Sequence, residues 1–80
     1  MEENKKFDLN ELAENWPSRV VARTQEDLDK FSGGILNART LANLDSQGRG
    51  PKGRIKIGRR VAYPVRALVK WMEERAIKFE

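Results

Sequence analysis

The sequence predicts a mainly α-helical chain with one small β-hairpin, in the order helix, helix, turn, helix, hairpin, helix. Apolar residues recur at helical spacing in four segments, whereas one segment alternates polar and apolar residues as a strand does. Glycines stand where helices should end and where a hairpin should turn. The 80 residues are enough for one small domain with a modest core.

The first predicted helix spans about residues 8 to 15. Asp8 is placed to cap its N-terminus, and Pro17 follows its end. One apolar stripe runs along it, formed by Leu9, Leu12, Ala13 and Trp16. Residues 18 to 23 are expected to be an extended connection. We therefore divide the chain into an acidic N-terminal arm, 1–23, and a domain, 24–80.

The next two predicted helices are joined by a tight glycine turn. Thr24 is placed to cap the first of them, which should end at Gly33. Asn37 is placed to cap the second, which should run to about Gln47 before Gly48. One face of this second helix is apolar, and the other is polar. Two short helices joined in this way form a helix-turn-helix pattern.

The segment after this pair predicts a two-stranded hairpin. Residues 54–57 should form a half-buried strand, with the basic side chains facing away from Ile55 and Ile57. Gly58 should begin the turn, and residues 61–63 should return as the second strand. Pro64 suits the first position of a final helix. The complete order is that of a winged helix-turn-helix with an extra N-terminal helix, the hairpin being the wing.

The positive charge is concentrated in one segment. The chain carries 16 basic and 12 acidic residues, a net charge of +4. Residues 32–70 alone contain 9 basic residues and one acid, Asp45. A contiguous basic block of this kind is typical of surfaces that bind phosphate backbones. The alternative is an ordinary solvated basic face.

Residue types missing from the sequence argue against catalysis. There is no cysteine and no histidine, so the commonest metal ligands and the commonest general base are absent. We therefore expect no catalytic residue, no metal and no cofactor. Neither a signal peptide nor an apolar run long enough to span a membrane is recognisable, which makes a cytoplasmic location the expectation.

Two sets of residues are candidates for DNA contact. Arg and Asn side chains on a helix can pair bidentately with guanine and adenine in the major groove. The recognition-helix candidates are Asn37, Arg39, Thr40 and Asn43, with Asn37 also acting as a cap. Arginines of a hairpin can enter a minor groove, and lysines commonly meet phosphates. The wing and loop candidates are Arg49, Lys52, Arg54, Lys56, Arg59 and Arg60.

The run from about Thr24 to Arg75 resembles the excisionase-like and AlpA-like small DNA-binding proteins, relatives of the MerR-type winged helix in phages and mobile elements. The resemblance is carried by SGGIL at 32–36, RTLANL at 39–44, GRGP at 48–51, KIGRRVAYP at 56–64 and LVKW at 68–71. It implies a helix in the major groove and a wing on the backbone or in the minor groove. The acidic arm departs from the family pattern. Its alternatives are packing against the domain, an accessory role in self-association, and contact with the DNA site, and its apolar stripe favours packing.

These observations predict a non-catalytic protein that binds double-stranded DNA. By the resemblance, its role is that of a phage or mobile-element transcription regulator or a recombination directionality factor. Its other partners would be a second copy on an adjacent site, a recombinase or another phage protein. The alternative is a protein-interaction module, an adaptor or packaging-type subunit, that has a winged-helix fold without specific DNA recognition.

Overall fold

The computed structural model describes residues 7–77 as a small mixed α/β fold. Four helices and one three-stranded antiparallel sheet lie within this range. In chain order the elements are α1 (Asn10–Asn15), β1 (Val20–Ala22), α2 (Gln25–Ser32), α3 (Ala38–Ser46), β2 (Ile55–Ile57), β3 (Arg60–Pro64) and α4 (Val65–Arg75). The four helices were all predicted, but the sheet has one strand more than expected.

Side-chain caps begin α2 and α3. The Thr24 hydroxyl and the Asn37 side-chain oxygen each accept a hydrogen bond from the amide three residues on, at 3.2 and 2.9 Å. Asp8 accepts one at 2.9 Å from the amide two residues on. Gly33, in the left-handed conformation at φ 71°, ends α2. The caps predicted at Thr24, Asn37 and Gly33 are therefore confirmed, whereas Asp8 lies one residue before Leu9, the cap position of α1, which carries no side-chain cap.

The sheet has the strand order β1-β3-β2, with β3 in the centre. β3 pairs with β2 across a two-residue turn, Gly58-Arg59, as a hairpin should. On its other side β3 pairs with β1, so that Val21 lies opposite Tyr63. The prediction of an isolated hairpin is wrong, because the supposed extended connection supplies the third strand. This strand precedes residue 24, where we expected the domain to begin.

The strand register assigns each residue of the wing to a face of the sheet. Tyr63 is fully buried, so Val61, two residues away, lies on the same inner face, and Lys56 lies opposite Val61. Ile55 and Ile57 therefore lie on the outer face, where they are 44% and 75% exposed. The prediction of a half-buried strand is wrong, since β2 extends beyond the core and all its residues are exposed.

The core lies between the inner face of the sheet and the helices. α1 packs against α4, and Trp16 meets the Phe31 ring edge to face at 5.4 Å between centroids. The buried apolar residues come from every helix, from β1 and β3, and from the turn between α2 and α3: Ala13, Val21, Leu28, Phe31, Leu36, Leu41, Tyr63, Val65, Leu68, Val69 and Met72. The apolar stripe of the first helix thus packs on the core, as its spacing predicts.

A buried carboxylate joins α3 to the sheet. The side chain of Asp45 is 3% exposed. Its Oδ2 accepts hydrogen bonds from Tyr63 Oη at 2.5 Å and from Arg23 Nη1 at 2.7 Å. The Arg54 guanidinium lies 3.9 Å from Oδ1. Hydrogen bonds to a charged acceptor are about twice as strong as neutral ones, so this side chain ties the last turn of α3 to β3 and to the residue after β1.

The loop after α3 closes over the same carboxylate. A Cβ atom on Gly50 would overlap Oδ1 of Asp45 and lie 3.0 Å from its Cγ. Glycine is therefore required at position 50 for close approach. Gly48 serves a different purpose, since its φ of 73° lies in the left-handed region that ends a helix without strain.

We expect Tyr63 to stay protonated until the fold is lost. Burial, followed by the hydrogen bond to Asp45, raises the pKa of Tyr63 above its ordinary value. The folded protein thus holds the phenolic proton more tightly than the unfolded chain does. The stability linked to this proton is complete below about pH 10 and declines as the pH rises further.

Tyr63 is the only tyrosine in the chain, so the ultraviolet absorbance of tyrosinate reports on it alone. In an alkaline titration this absorbance should rise together with the loss of far-ultraviolet circular dichroism. Tyrosinate that forms near pH 10 while the circular dichroism remains native would contradict the assignment.

Candidate nucleic-acid interface

α3 presents a polar face to solvent. Arg39, Thr40 and Asn43 are exposed on it, whereas Leu41 on the opposite side is buried. Arg39 and Asn43 are four residues apart and are therefore neighbours on the helix surface. The fourth candidate, Asn37, is exposed, but its Oδ1 is engaged as the cap. The fold thus brings three candidates together, and their contact with DNA stays a prediction.

Gln25, which the sequence did not single out, holds the turn between α2 and α3. Its Oε1 accepts a hydrogen bond from the Ala38 amide at 2.9 Å, and its Nε2 donates to the Leu36 carbonyl at 3.0 Å and to Asp29 Oδ1 at 2.7 Å. From the end of α2, the Ser32 hydroxyl accepts from the Leu36 amide at 3.0 Å. The bonds from Gln25 to Leu36 and Ala38 cross 11 and 13 positions of the chain, so no local pattern could indicate them.

Three of the wing and loop candidates line one depression. Lys52, Arg54 and Lys56 surround it together with the glycines of the loop. Lys56 belongs to the inner face of the sheet, which its pairing with Val61 requires. Arg54 forms the ion pair with Asp45, but its side chain is also 45% exposed to solvent. Within residues 7–77, neither lysine forms an ion pair.

The remaining two wing candidates lie at the tip of the hairpin. Gly58 has a φ of 61°, which the first position of a tight hairpin turn requires. Arg59 and Arg60 are both exposed, and they line a second depression together with Arg23 and Thr24. The structure therefore divides the wing cations into one group beside the glycine loop and another at the hairpin tip.

The backbone of Arg49 is held against α4. Its carbonyl accepts hydrogen bonds from Trp71 Nε1 at 3.0 Å and from Arg75 Nη2 at 3.1 Å. The Arg75 guanidinium also lies over the Trp71 ring, 4.3 Å from its centroid. The Arg49 side chain is exposed, with Nη1 3.3 Å from Gln47 Oε1. The sequence indicated Trp71 only as part of the run LVKW at 68–71, because a contact across 22 residues leaves no local pattern.

The exposed charge of residues 32–70 is entirely positive. All nine lysines and arginines of this segment are exposed. Its one acidic residue, Asp45, is buried in the ion pair with Arg23. The surface is therefore more uniformly basic than the formal charge of the segment indicates.

Clusters of metal ligands and membrane-spanning helices are both absent from the part of the chain that the structure describes. In residues 7–77 there is no group of three or more histidine, cysteine, aspartate or glutamate side chains that could hold a metal ion. No helix in that range combines the length and the apolar character needed to cross a bilayer.

Comparison with known proteins adds no relative. No protein-family model, curated protein or solved structure matches this chain. The similarity to excisionase-like proteins therefore stays a prediction from the residues that carry it.

We expect Gln25→Ala to lower the free energy of unfolding by about 1–2 kcal/mol. The substitution leaves the Ala38 amide and the partly buried Leu36 carbonyl without their partners. Gln47→Ala, at an exposed glutamine after α3, should stay within about 0.5 kcal/mol of the parent protein. Urea denaturation of the three proteins makes the comparison. Equal losses at the two positions would show that Gln25 does not hold the turn.

Proposed function

We propose that this chain is a non-catalytic protein that binds double-stranded DNA through a winged helix-turn-helix. α2, the turn and α3 form the helix-turn-helix, and β2 with β3 forms the wing. The observation that carries the proposal is the exposed charge of residues 32–70, nine cations and no carboxylate. Because duplex DNA is a dense polyanion, a surface of this kind gains affinity by releasing its counterions.

In this proposal α3 enters the major groove with its polar face toward the bases. Arg39 is the candidate for a bidentate pair with guanine, and Asn43 for one with adenine. Thr40, three residues before Asn43 and next to it on the helix surface, can bond a base edge or contact a thymine methyl group. The caps and the Gln25 bonds hold this face in a defined orientation, which base recognition requires.

The wing and the loop supply contacts that do not depend on sequence. Lys52 and Lys56 are placed to meet phosphates as point charges, and Arg49 extends this set on the other side of the loop. Arg59 and Arg60, at the hairpin tip, suit a minor groove or the backbone beside it. Arg54 acts partly as a positioning residue, because it also pairs with Asp45.

The role in the cell follows from the resemblance. Excisionase-like and AlpA-like proteins regulate prophage transcription or direct recombination, and either role needs DNA binding without catalysis. One module of this size buries little DNA surface. We therefore expect two or more copies to bind adjacent sites, alone or with a recombinase.

A second candidate function is a protein-interaction module. It is favoured by the outer face of the sheet, where Val20, Ile55 and Ile57 are exposed side chains that nothing in residues 7–77 covers. In this alternative the basic segment meets an acidic protein surface. The polar face of α3 argues for DNA, since a protein-docking helix would commonly present apolar anchors.

The proposal predicts duplex binding that weakens steeply with salt. With about six phosphates contacted, the logarithm of the binding constant should fall with the logarithm of salt concentration at a slope of roughly −5. Titration of a fluorescently labelled random-sequence duplex over a range of salt concentrations measures it. Absence of binding at low salt, with unmoved amide resonances in α3 and the wing, would refute DNA binding and favour the protein-interaction module.

A substitution at Arg39 that keeps the charge should affect base recognition without affecting nonspecific binding to DNA. Arg39→Lys keeps the charge but removes the planar fork that fits guanine, so it should cost about 1–3 kcal/mol on a selected site. Its salt slope and its affinity for random duplex should change little. Arg59→Ala should instead weaken binding to selected and random duplexes by the same factor. Equal losses of Arg39→Lys on both duplexes would remove Arg39 from base recognition.

A further inference from the structure

We infer that the basic surface continues past the wing onto α4, where a depression beside the glycine loop binds backbone phosphates that flank the bases contacted by α3. The inference rests on the proposed function and adds a second row of phosphate contacts to it. The additional ligand is Lys70 on α4, which lines the depression together with the loop cations Arg49 and Lys52.

The geometry of the depression carries this inference. Its walls are the loop after α3 and one face of α4, and its cations are Arg49, Lys52, Lys70 and Arg75. It shares Lys52 and two glycines of the loop with the depression that Lys56 and Arg54 line. The two depressions therefore adjoin at the glycine loop, and their cations form one basic track from β2 to α4.

The chemistry of the walls favours a phosphate over a base. Trp71 also lines the depression, but the Arg75 guanidinium lies over the Trp71 ring. The Trp71 Nε1 group donates a hydrogen bond to the Arg49 carbonyl. Arg75 donates to that carbonyl as well. These two side chains are thus positioning residues that fix the loop, while Arg49, Lys52 and Lys70 provide exposed charge. Point charges around a shallow surface suit the DNA backbone.

One carboxylate in the same depression allows a test in which DNA affinity should rise for one substitution and fall for another. Glu74 lies on α4 one turn after Lys70 and lines the site with it. A phosphate bound there is attracted by Lys70 and repelled by Glu74, so removal of each charge should move the affinity for DNA in opposite directions. A purely structural role of α4 would not produce this opposition.

The experiment measures duplex affinity and its salt slope for Lys70→Ala, Glu74→Gln and a control, Lys30→Ala. Lys70→Ala should lower the affinity roughly 8-fold at about 0.1 M salt and make the slope shallower by about 0.9, the effect of one phosphate contact. Glu74→Gln should raise the affinity by a factor of about 2 or more. Lys30 is an exposed lysine on α2. Lys30→Ala therefore removes the same net charge outside the depression and should leave duplex affinity unchanged.

Duplex length separates DNA from other phosphates. When the duplex is shortened by about half a helical turn, roughly 5 base pairs, at the flank that α4 faces, the parent protein should lose the same affinity as Lys70→Ala, and Lys70→Ala should lose no more. Each end is shortened in turn to find that flank. Two results together would overturn the inference. In the first, Lys70→Ala loses affinity but the parent protein loses none on a duplex shortened at either end. In the second, inorganic phosphate binds the parent protein but not Lys70→Ala, so that the depression is a site for free phosphate.

Lys56→Ala distinguishes failure of this inference from failure of the proposed function. If the parent protein binds no duplex at low salt, the proposed function itself is wrong. If Lys56→Ala weakens binding while Lys70→Ala and Glu74→Gln match the control, the wing binds DNA and only the contact by α4 is refuted. Far-ultraviolet circular dichroism of each variant verifies that it is folded.

Discussion

The hydrogen-bonded carboxylate of Asp45 is the interaction on which the arrangement of α3, the sheet and the loop depends. Burial of a charge is costly, and here two hydrogen bonds to one oxygen and a cation near the other offset that cost. Removing one partner of such a group typically costs about 3–5 kcal/mol. That is a large fraction of the stability expected for a domain of this size.

Short elements make this kind of tie necessary. α3 has nine residues, and helices of that length are unstable in isolation. β2 has three residues and no buried side chain. Neither element can hold its own orientation, so hydrogen bonds from neighbouring elements must provide it. Gln25 forms a hydrogen bond at the N-terminal end of α3, and Asp45 forms one at its C-terminal end. Trp71 and Arg75 form hydrogen bonds to the loop that leads into β2.

Apart from Arg54, which also pairs with Asp45, the side chains proposed to contact DNA are different from those that position them. The side chains proposed to meet DNA are exposed cations and amides, which contribute little to packing. The side chains that place them are Gln25, Asp45 and Trp71. This division explains how the interface can be strongly basic without weakening the core, because the like charges stay in solvent, where their repulsion is screened.

Features with a local physical cause could be predicted from the sequence. Thr24 and Asn37 cap helices because their side chains reach the amide three residues on, and Gly58 allows the hairpin turn by its own φ. The basic block that includes Arg39 and Arg59 is also a property of the sequence itself. Each of these features depends on a few neighbouring residues, which is why the helices and the candidate site could be expected.

Features that depend on distant partners could not be predicted. β1 is a strand only because β3, about forty residues later, pairs with it. The sequence marked Asp45 only as the one acidic residue of a basic segment, although its side chain is buried and bonded to Arg23 and Tyr63. The alternation in β2 predicted a covered face for Ile55 and Ile57, but both side chains are left exposed by residues 7–77. Gly50 resembled other loop glycines until the approach of Asp45 gave it a specific purpose.

The shared carboxylate has a mechanical consequence. Because α3, β3 and the residue after β1 are bonded to one buried side chain, and the loop packs against it, the helix and the base of the wing should move as one rigid body. In the proposed complex the adjustment of shape would then fall on the duplex, which must bend or change its groove width to meet both elements at once. Sequence preference would extend to base pairs that no side chain touches, through the stiffness of the steps between them.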